Sequence, residues 1–171
     1  MTATKSVHPG MSRLIAAEWE APIDLFRELD QEFHFTLDAC ARPHNAKCKK
    51  FFTPDVDGLK QDWRGEVVWC FPPSGSRAFR LWVEKAAKEA KKKNTKVVML
   101  LPVSTDAKWF HTHIYKQNGV RIRFLPERVK FTNQMLPSWA ANGSPVKKAC
   151  GGMRPSMIVI FDGSKRKFAV E

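Results

Sequence analysis

Between Phe79 and Ala90, the apolar residues Phe79, Trp82, Val83, Ala86, Ala87 and Ala90 recur at i, i+3, i+4, i+7, i+8 and i+11. That is the spacing of one face of an amphipathic helix. Lysines fill the opposite face, and the pattern runs out at Asn94. A β-branched and aliphatic run follows at Lys96–Leu101, closed by Pro102, and another precedes at Glu66–Cys70, stopped by Pro72 and Pro73. Prolines end such runs because they bring no N–H to a strand ladder. Strand, helix and strand in this order make a βαβ unit, which implies a parallel sheet with helices on its faces.

The rest of the chain extends the pattern. Ile23, Phe26, Leu29 and Phe33 predict an early helix with Asp24 at its start, and Phe35–Leu37 predicts a short strand ending at Asp38. A loop bearing Pro, Asn and Lys spans Arg42–Lys50. Ala107–Lys116 predicts a further helix, Val120–Leu125 a strand and Met157–Phe161 a last buried strand. Thr132–Arg154 is rich in Gly, Pro, Asn and Ser, and reads as a long loop that is either mobile or in contact with substrate. The expected fold is therefore α/β, one compact domain with a mainly parallel sheet over residues 18–162, between a flexible tail at 1–17 and a basic tail at 163–171.

Composition narrows the class. The 171 residues include 29 Lys+Arg against 17 Asp+Glu, a formal charge of +12, and 43% are hydrophobic, with 6 Trp and 12 Phe. Such a chain can build a core, which excludes disordered, collagen-like and coiled-coil readings. The longest apolar runs, around Val97–Leu101 and Met157–Phe161, fall far short of the roughly 20 residues that span a bilayer. The first residues carry no apolar stretch with a small-residue cleavage site, so a cytoplasmic protein without a membrane partner is expected. Cys40, Cys48, Cys70 and Cys150 are unevenly spaced and read as free thiols rather than a disulfide frame. A strongly basic balance points to a polyanion, with nucleic acid the default partner. A solvated lysine face accounts for part of Lys85–Lys96, but further cations such as Arg42, Arg121, Arg128 and Arg154 lie elsewhere.

In an open parallel sheet, ligands sit outside the carboxyl ends of the strands. Asp38 stands at one such end, where a carboxylate can take a ribose hydroxyl or a charged amine, or simply form a turn. Phe71–Pro72–Pro73–Ser74 stands at another. Cys40-x3-His44-x3-Cys48 lacks the tight spacing of a zinc finger, and His111-x-His113 reads as a surface pair. The sequence has no Walker loop, no Gly-x-Gly-x-x-Gly and no Ser/His/Asp arrangement.

A series of short segments carries more. They begin with Trp19, Pro22, Asp24–Phe26, Glu32–Phe33 and Phe35–Asp38, then Asn45–Cys48 with Phe51–Pro54, and Gly58–Leu59 with Asp62–Trp63. The double proline follows, with Trp82 and Lys85–Ala86. Leu100–Pro102, Thr105–Asp106, Trp109–His111, Arg128, Lys130–Phe131 and Pro155–Ser156 complete the set. In this order, over most of the chain, the set resembles the phage-type DNA N6-adenine methyltransferase (Dam) family. The resemblance implies a Rossmann-like methyltransferase fold, S-adenosylmethionine as cofactor and adenine in DNA as acceptor. It also implies a monomer or weak dimer and, for a phage gene, the host cytoplasm. Carried over by position, Asp38 and Asp62 belong to the methyl-donor pocket, Asn45 and Lys47 to the loop beside it, and Phe71, Pro72, Pro73 and Ser74 to the catalytic turn.

In that family's turn, the first residue is an Asp or Asn that accepts a hydrogen bond from the adenine amino group. A proline carbonyl accepts the other hydrogen, and an aromatic fourth residue stacks on the extruded base. This chain has Phe71 and Ser74 at the first and fourth positions. A lost acceptor and a lost ring cost about 1–3 kcal/mol each, so about 2–6 kcal/mol together, or roughly 30-fold to 10⁴-fold in rate. Three readings follow: an adenine methyltransferase, with Phe71 and Ser74 exchanging roles or not; transfer to a different acceptor; or a methyltransferase-fold DNA-binding protein without transfer.

Overall fold

The computed structural model describes residues 19–132, 149–151, 154–165 and 167–171. Its elements are α1 (Ile23–Phe33), β1 (Leu37–Asp38), β2 (Lys50–Phe51), β3 (Val67–Cys70), α2 (Ser76–Glu89), β4 (Lys96–Pro102) and α3 (Lys108–His113). There follow β5 (Val120–Phe124), β6 (Lys130–Thr132), β7 (Ala149–Gly151), β8 (Ser156–Asp162) and β9 (Ala169–Val170). Seven strands form one sheet in the order β2-β1-β3-β4-β8-β5-β9, and β6 pairs with β7 in a small second sheet. β2, β1, β3 and β4 run parallel, β8 is antiparallel to both its neighbours, and β9 is parallel to β5. One reversed strand in seven makes the sheet mainly parallel, consistent with the expected Rossmann-like methyltransferase fold.

Both faces of the sheet are covered, which explains why its central strands are continuous apolar runs rather than alternating ones. Val68, Cys70, Val97, Met99, Leu101, Met157 and Val159 face α2 and α3, and pack with Trp82, Val83, Ala86 and Phe110. Trp69, Val98, Leu100, Ile158 and Ile160 face α1, and pack with Phe26, Leu29 and Phe33. The chain thus forms three layers, with its largest buried side chains at Trp63 and Trp69.

Three expectations need correcting. Lys50 lies in a strand, β2, because the backbone beyond the loop pairs with β1 in the register Leu37↔Lys50. Thr132 and residues 149–151 form the β6–β7 ladder, so the segment read as a loop is paired at both its ends, while 133–148 and 152–153 lie outside the described residues. Residues 163–171, expected as a basic tail, turn back onto the sheet. β9 pairs with β5, and Glu171 takes ion pairs from Arg121 at 2.7 Å and Arg123 at 3.0 Å. The expected tail at 1–17 lies outside the described residues.

Candidate active site

The order of the strands decides where a ligand can sit. From β1 the chain crosses to β2 on one side, then to β3 on the other, so the boundary between β1 and β3 is a topological switch point. The crevice outside the carboxyl ends of the strands at such a point is the usual ligand site of doubly wound sheets. Asp38 ends β1, and Phe71 follows the end of β3 directly.

A cavity of about 420 Å³ opens there, within the ~300–1,000 Å³ usual for small-molecule sites. Asp38, Asn45, Lys47, Phe71, Pro72, Pro73 and Ser74 all line it. Asp38 is only 3% exposed, and burial pushes its carboxyl above the usual carboxylate range. Two backbone donors oppose that push: the Lys47 N–H reaches Oδ2 at 3.0 Å and the Cys40 N–H reaches Oδ1 at 3.3 Å. These bonds fold residues 39–47 around the carboxylate and leave each oxygen a lone pair for a ligand.

Asn45 shapes the same loop, its Oδ1 accepting the Arg42 N–H at 2.7 Å. Lys47 turns its side chain to Glu20, with Nζ 3.5 Å from Oε2 and both groups largely buried. Glu20 also exchanges two backbone hydrogen bonds with Thr132, at 2.8 and 3.1 Å, which holds Trp19–Ala21 over the cavity.

Asp62 is the exception among the anticipated residues. It is absent from the cavity lining, 58% exposed, and paired with Lys92 at 2.8 Å. That hydrogen bond, with one from the Arg64 N–H, draws its carboxyl down to about 2. The carboxylate on the wall is Asp57 instead, five residues earlier and next to Gly58. A Cβ on Gly58 would lie 2.2 Å from the Ala39 carbonyl oxygen, so only glycine lets the Asp57–Gly58 turn close on the loop after β1. The Gly58 carbonyl in turn accepts the Trp63 indole N–H at 3.0 Å. Asp57, with φ at 57°, drew no notice in the sequence, because only the fold brings it to the cavity wall.

A second, larger cavity of about 930 Å³ lies on the other side of the same turn. It shares Trp19, Phe71, Pro72 and Ser74 with the first. Phe71 stacks on Phe131 with ring centroids 5.3 Å apart and planes 8° from parallel. Trp109 and Phe79 add further aromatic wall, and Arg77, Arg80, Lys108 and Arg154 add positive charge. Aromatic surface interleaved with cations suits unpaired bases on a phosphate backbone.

Among the described residues, Arg77 and Lys108 have no ion-pair partner, whereas Lys85 and Lys92 converge on the buried Glu89 and Lys96 meets Asp162. The lysine-rich stretch is therefore partly neutralised within the fold, and two cations without an ion-pair partner among the described residues, Arg77 and Lys108, line this cavity.

With that geometry described, comparison with known proteins becomes specific. A model of the DNA N-6-adenine-methyltransferase (Dam) family matches residues 12–170. The chain belongs to this family. It is 32% identical to the DNA N-6-adenine-methyltransferase of Haemophilus phage HP1 (strain HP1c1) over 146 residues, 84% of this chain and 78% of that protein. It is also 31% identical to the DNA N-6-adenine-methyltransferase of Escherichia phage T1 over 94 residues, covering 54% of this chain and 38% of that one.

In this Dam-family chain the turn at Phe71–Ser74 borders both cavities. The Cys40 thiol donates to the Phe71 carbonyl at 3.0 Å, tying the loop after β1 to the turn after β3. The Pro72 and Pro73 carbonyls accept no hydrogen bond from the described residues.

Cys40 also lies 3.9 Å from Cys70, and burial pushes its thiol up. Cys48 packs on the opposite side of the sheet and is pushed up to about 12 by burial and by the nearby Asp38 and Asp30. The three Cys40, His44 and Cys48 side chains form no metal-holding group, and none of three or more such ligands occurs among the described residues. No helix among those residues is long and apolar enough to cross a membrane.

Proposed function

We propose that this chain transfers a methyl group from S-adenosylmethionine to the exocyclic amino nitrogen of adenine in DNA. One observation carries the reading: two cavities, one bearing Asp38 and Asp57, the other aromatic and cationic, share the Phe71–Pro72–Ser74 turn at the topological switch point.

The smaller cavity fits the donor. Asp38, with Asp57 across the wall, offers carboxylates to a cationic sulfonium compound and its ribose hydroxyls, and Phe52, Pro54, Leu59 and Trp82 offer apolar surface to its base. When bound, S-adenosylmethionine supplies an electrophilic methyl group on a positively charged sulfur. Asp38 holds its charge against the desolvation that burial imposes, through two N–H donors fixed by the fold. Asn45 and Lys47 act one step removed, keeping the loop and the Trp19–Glu20 cover in place.

The larger cavity takes the adenine, swung out of the duplex because its amino group is unreachable within the stack. Phe71, continuous with the Phe131 ring, provides the stacking surface that Ser74 has lost. The free Pro72 or Pro73 carbonyl accepts one amino hydrogen, which turns the nitrogen lone pair out of the ring plane toward the donor. Methyl transfer to that nitrogen would leave the donor as its neutral thioether and release one amino proton to solvent. Arg77, Arg80, Lys108 and Arg154 hold the phosphates on either side.

Expression in a host lacking adenine methylation tests this. Nucleoside mass spectrometry of the host DNA is expected to show N6-methyladenine above the empty-vector level, and restriction at overlapping adenine sites is expected to change. DNA that stays unmodified, while the purified protein still binds S-adenosylmethionine in calorimetry, would leave the non-transferring reading.

A further inference from the structure

The turn that gives this chain a stacking ring at Phe71 also removes its acceptor for the second amino hydrogen. Some other group on the same wall must receive that hydrogen, or the amino nitrogen keeps its lone pair in the ring. β3 and β4 are adjacent parallel strands in the register Cys70↔Met99, so the segments that follow them open onto the same edge. Asp106 lies four residues beyond the end of β4 and lines the larger cavity together with Phe71, Pro72 and Ser74.

Three features set Asp106 apart. It is the one carboxylate on the described wall of a cavity whose other charged groups, Arg77, Arg80, Lys108 and Arg154, are all cations. Facing a phosphate backbone, a carboxylate there repels its partner, so its position costs affinity unless it makes a contact of its own. Secondly, the fold makes no use of it. α3 begins behind Ala107 with no side-chain cap, and among the described residues the Asp106 carboxylate forms no ion pair and accepts no hydrogen bond. Thirdly, the neighbouring polar group is already engaged, since Ser104 Oγ accepts from Arg154 at 3.3 Å.

We propose that Asp106 is the relocated acceptor: its carboxylate receives the adenine amino hydrogen that Phe71 cannot, across the cavity from the proline carbonyl. The inference rests on the assignment of the larger cavity to the target base. It makes Asp106 a residue that selects for an amino group at the purine 6-position, and it lets the chain keep the chemistry of an acidic first residue while using that position for stacking.

The test separates recognition from transfer. Fluorescence anisotropy is measured for the protein saturated with S-adenosylhomocysteine, on two duplexes that differ only in one base set opposite an abasic position. That base is adenine in one duplex and purine, which lacks the amino group, in the other. The native chain is expected to bind the adenine duplex about tenfold more tightly, the size of one hydrogen bond to a charged group. Asp106→Ala is expected to erase the preference and Asp106→Asn, which keeps an acceptor oxygen, to retain most of it. In a Phe71→Asn background, which restores an acceptor at the turn, Asp106→Ala is expected to change the preference less than threefold.

Unchanged thermal melting of each variant confirms that an exposed position has been altered without unfolding. A preference that survives Asp106→Ala, one lost instead on Ser74→Ala, or none in the native chain overturns the proposal. If the preference depends on Asp106 but no methylation is found, the acceptor assignment stands and the transfer reading falls. If methylation is found but the preference is indifferent to Asp106, the transfer reading stands and the acceptor assignment falls.

Discussion

The two cavities that meet at Phe71–Pro72 differ in how they are built. The cavity beside Asp38 is made largely of backbone: Asp38 is fixed by two main-chain N–H groups, and Gly58 by its contact with the Ala39 carbonyl and by accepting the Trp63 indole N–H. The larger cavity is made of side chains on separate elements, with Phe71 and Phe131 stacked on each other and Trp109 and Asp106 brought in beside them. A backbone-built pocket tolerates few substitutions, whereas a side-chain-built one can exchange an acceptor for a ring and find the acceptor elsewhere. On the proposed function, that contrast fits a chain whose turn reads Phe-Pro-Pro-Ser beside a backbone-fixed Asp38.

The largest effect is expected where the donor side is anchored. Buried Glu89 accepts the Trp63 N–H at 2.9 Å and ion pairs from Lys85 and Lys92 at 2.8 and 2.7 Å. Removing it by Glu89→Ala leaves two cations and an N–H without their partner and should cost about 3 kcal/mol, near the low end for a buried pair because Lys92 reaches solvent. A thermal melt should record a loss of roughly 6–12 °C.

Burial alone would raise the Glu89 carboxyl, but the hydrogen bonds from Lys85, Lys92 and Trp63 outweigh it and hold it below its ordinary value of 4.5. A depressed carboxylate stabilises the fold above the unfolded pKa and loses that contribution as pH falls through the folded one. Melting temperature should therefore drop below about pH 4.5 in the native chain, and less steeply in Glu89→Ala.

Next in size is Asp38→Asn. The loss of one charged contact should weaken S-adenosylmethionine binding about 10- to 150-fold in calorimetry, with DNA affinity unchanged. Native donor binding should also decline on acidification, starting above the usual carboxylate range, because burial raises this carboxyl and only its ionised form attracts a sulfonium. Equal losses at both cavities would break the contrast.

Phe71→Ala should do the converse, lowering affinity for an extruded adenine by about 5- to 150-fold through lost stacking, with a smaller loss of donor affinity because Phe71 also borders the cavity beside Asp38. The smallest effect belongs to Lys108→Ala, which should flatten the salt dependence of DNA binding by about one unit of slope, with little change in donor affinity.

Much of this was legible in the chain. α2, β3 and β4 follow from periodicity and from the prolines that close them, and Asp38 and Phe71 were singled out by their places at strand ends, where parallel sheets of this kind take ligands. Asp62 was placed by the resemblance alone, and the chain pattern around it does not say whether it faces a pocket or a lysine. In the fold, Lys92 takes it. β2 and β9, at two residues each, are too short to show a period and exist only through pairing with β1 and β5. Asp106 stood in the sequence only as part of the resemblance, since its place on the cavity wall depends on neighbours brought in from β3, α2 and β6.

The most direct test of the central claim is a crystal structure of the chain with S-adenosylhomocysteine and an adenine-containing duplex. The account predicts the thioether sulfur in the cavity beside Asp38, the adenine extruded against Phe71, and its amino nitrogen facing that sulfur across the Pro72–Pro73 turn at the reach of one methyl group. A sulfur or a base located in any other cavity, or an amino group turned away from the turn, would contradict it.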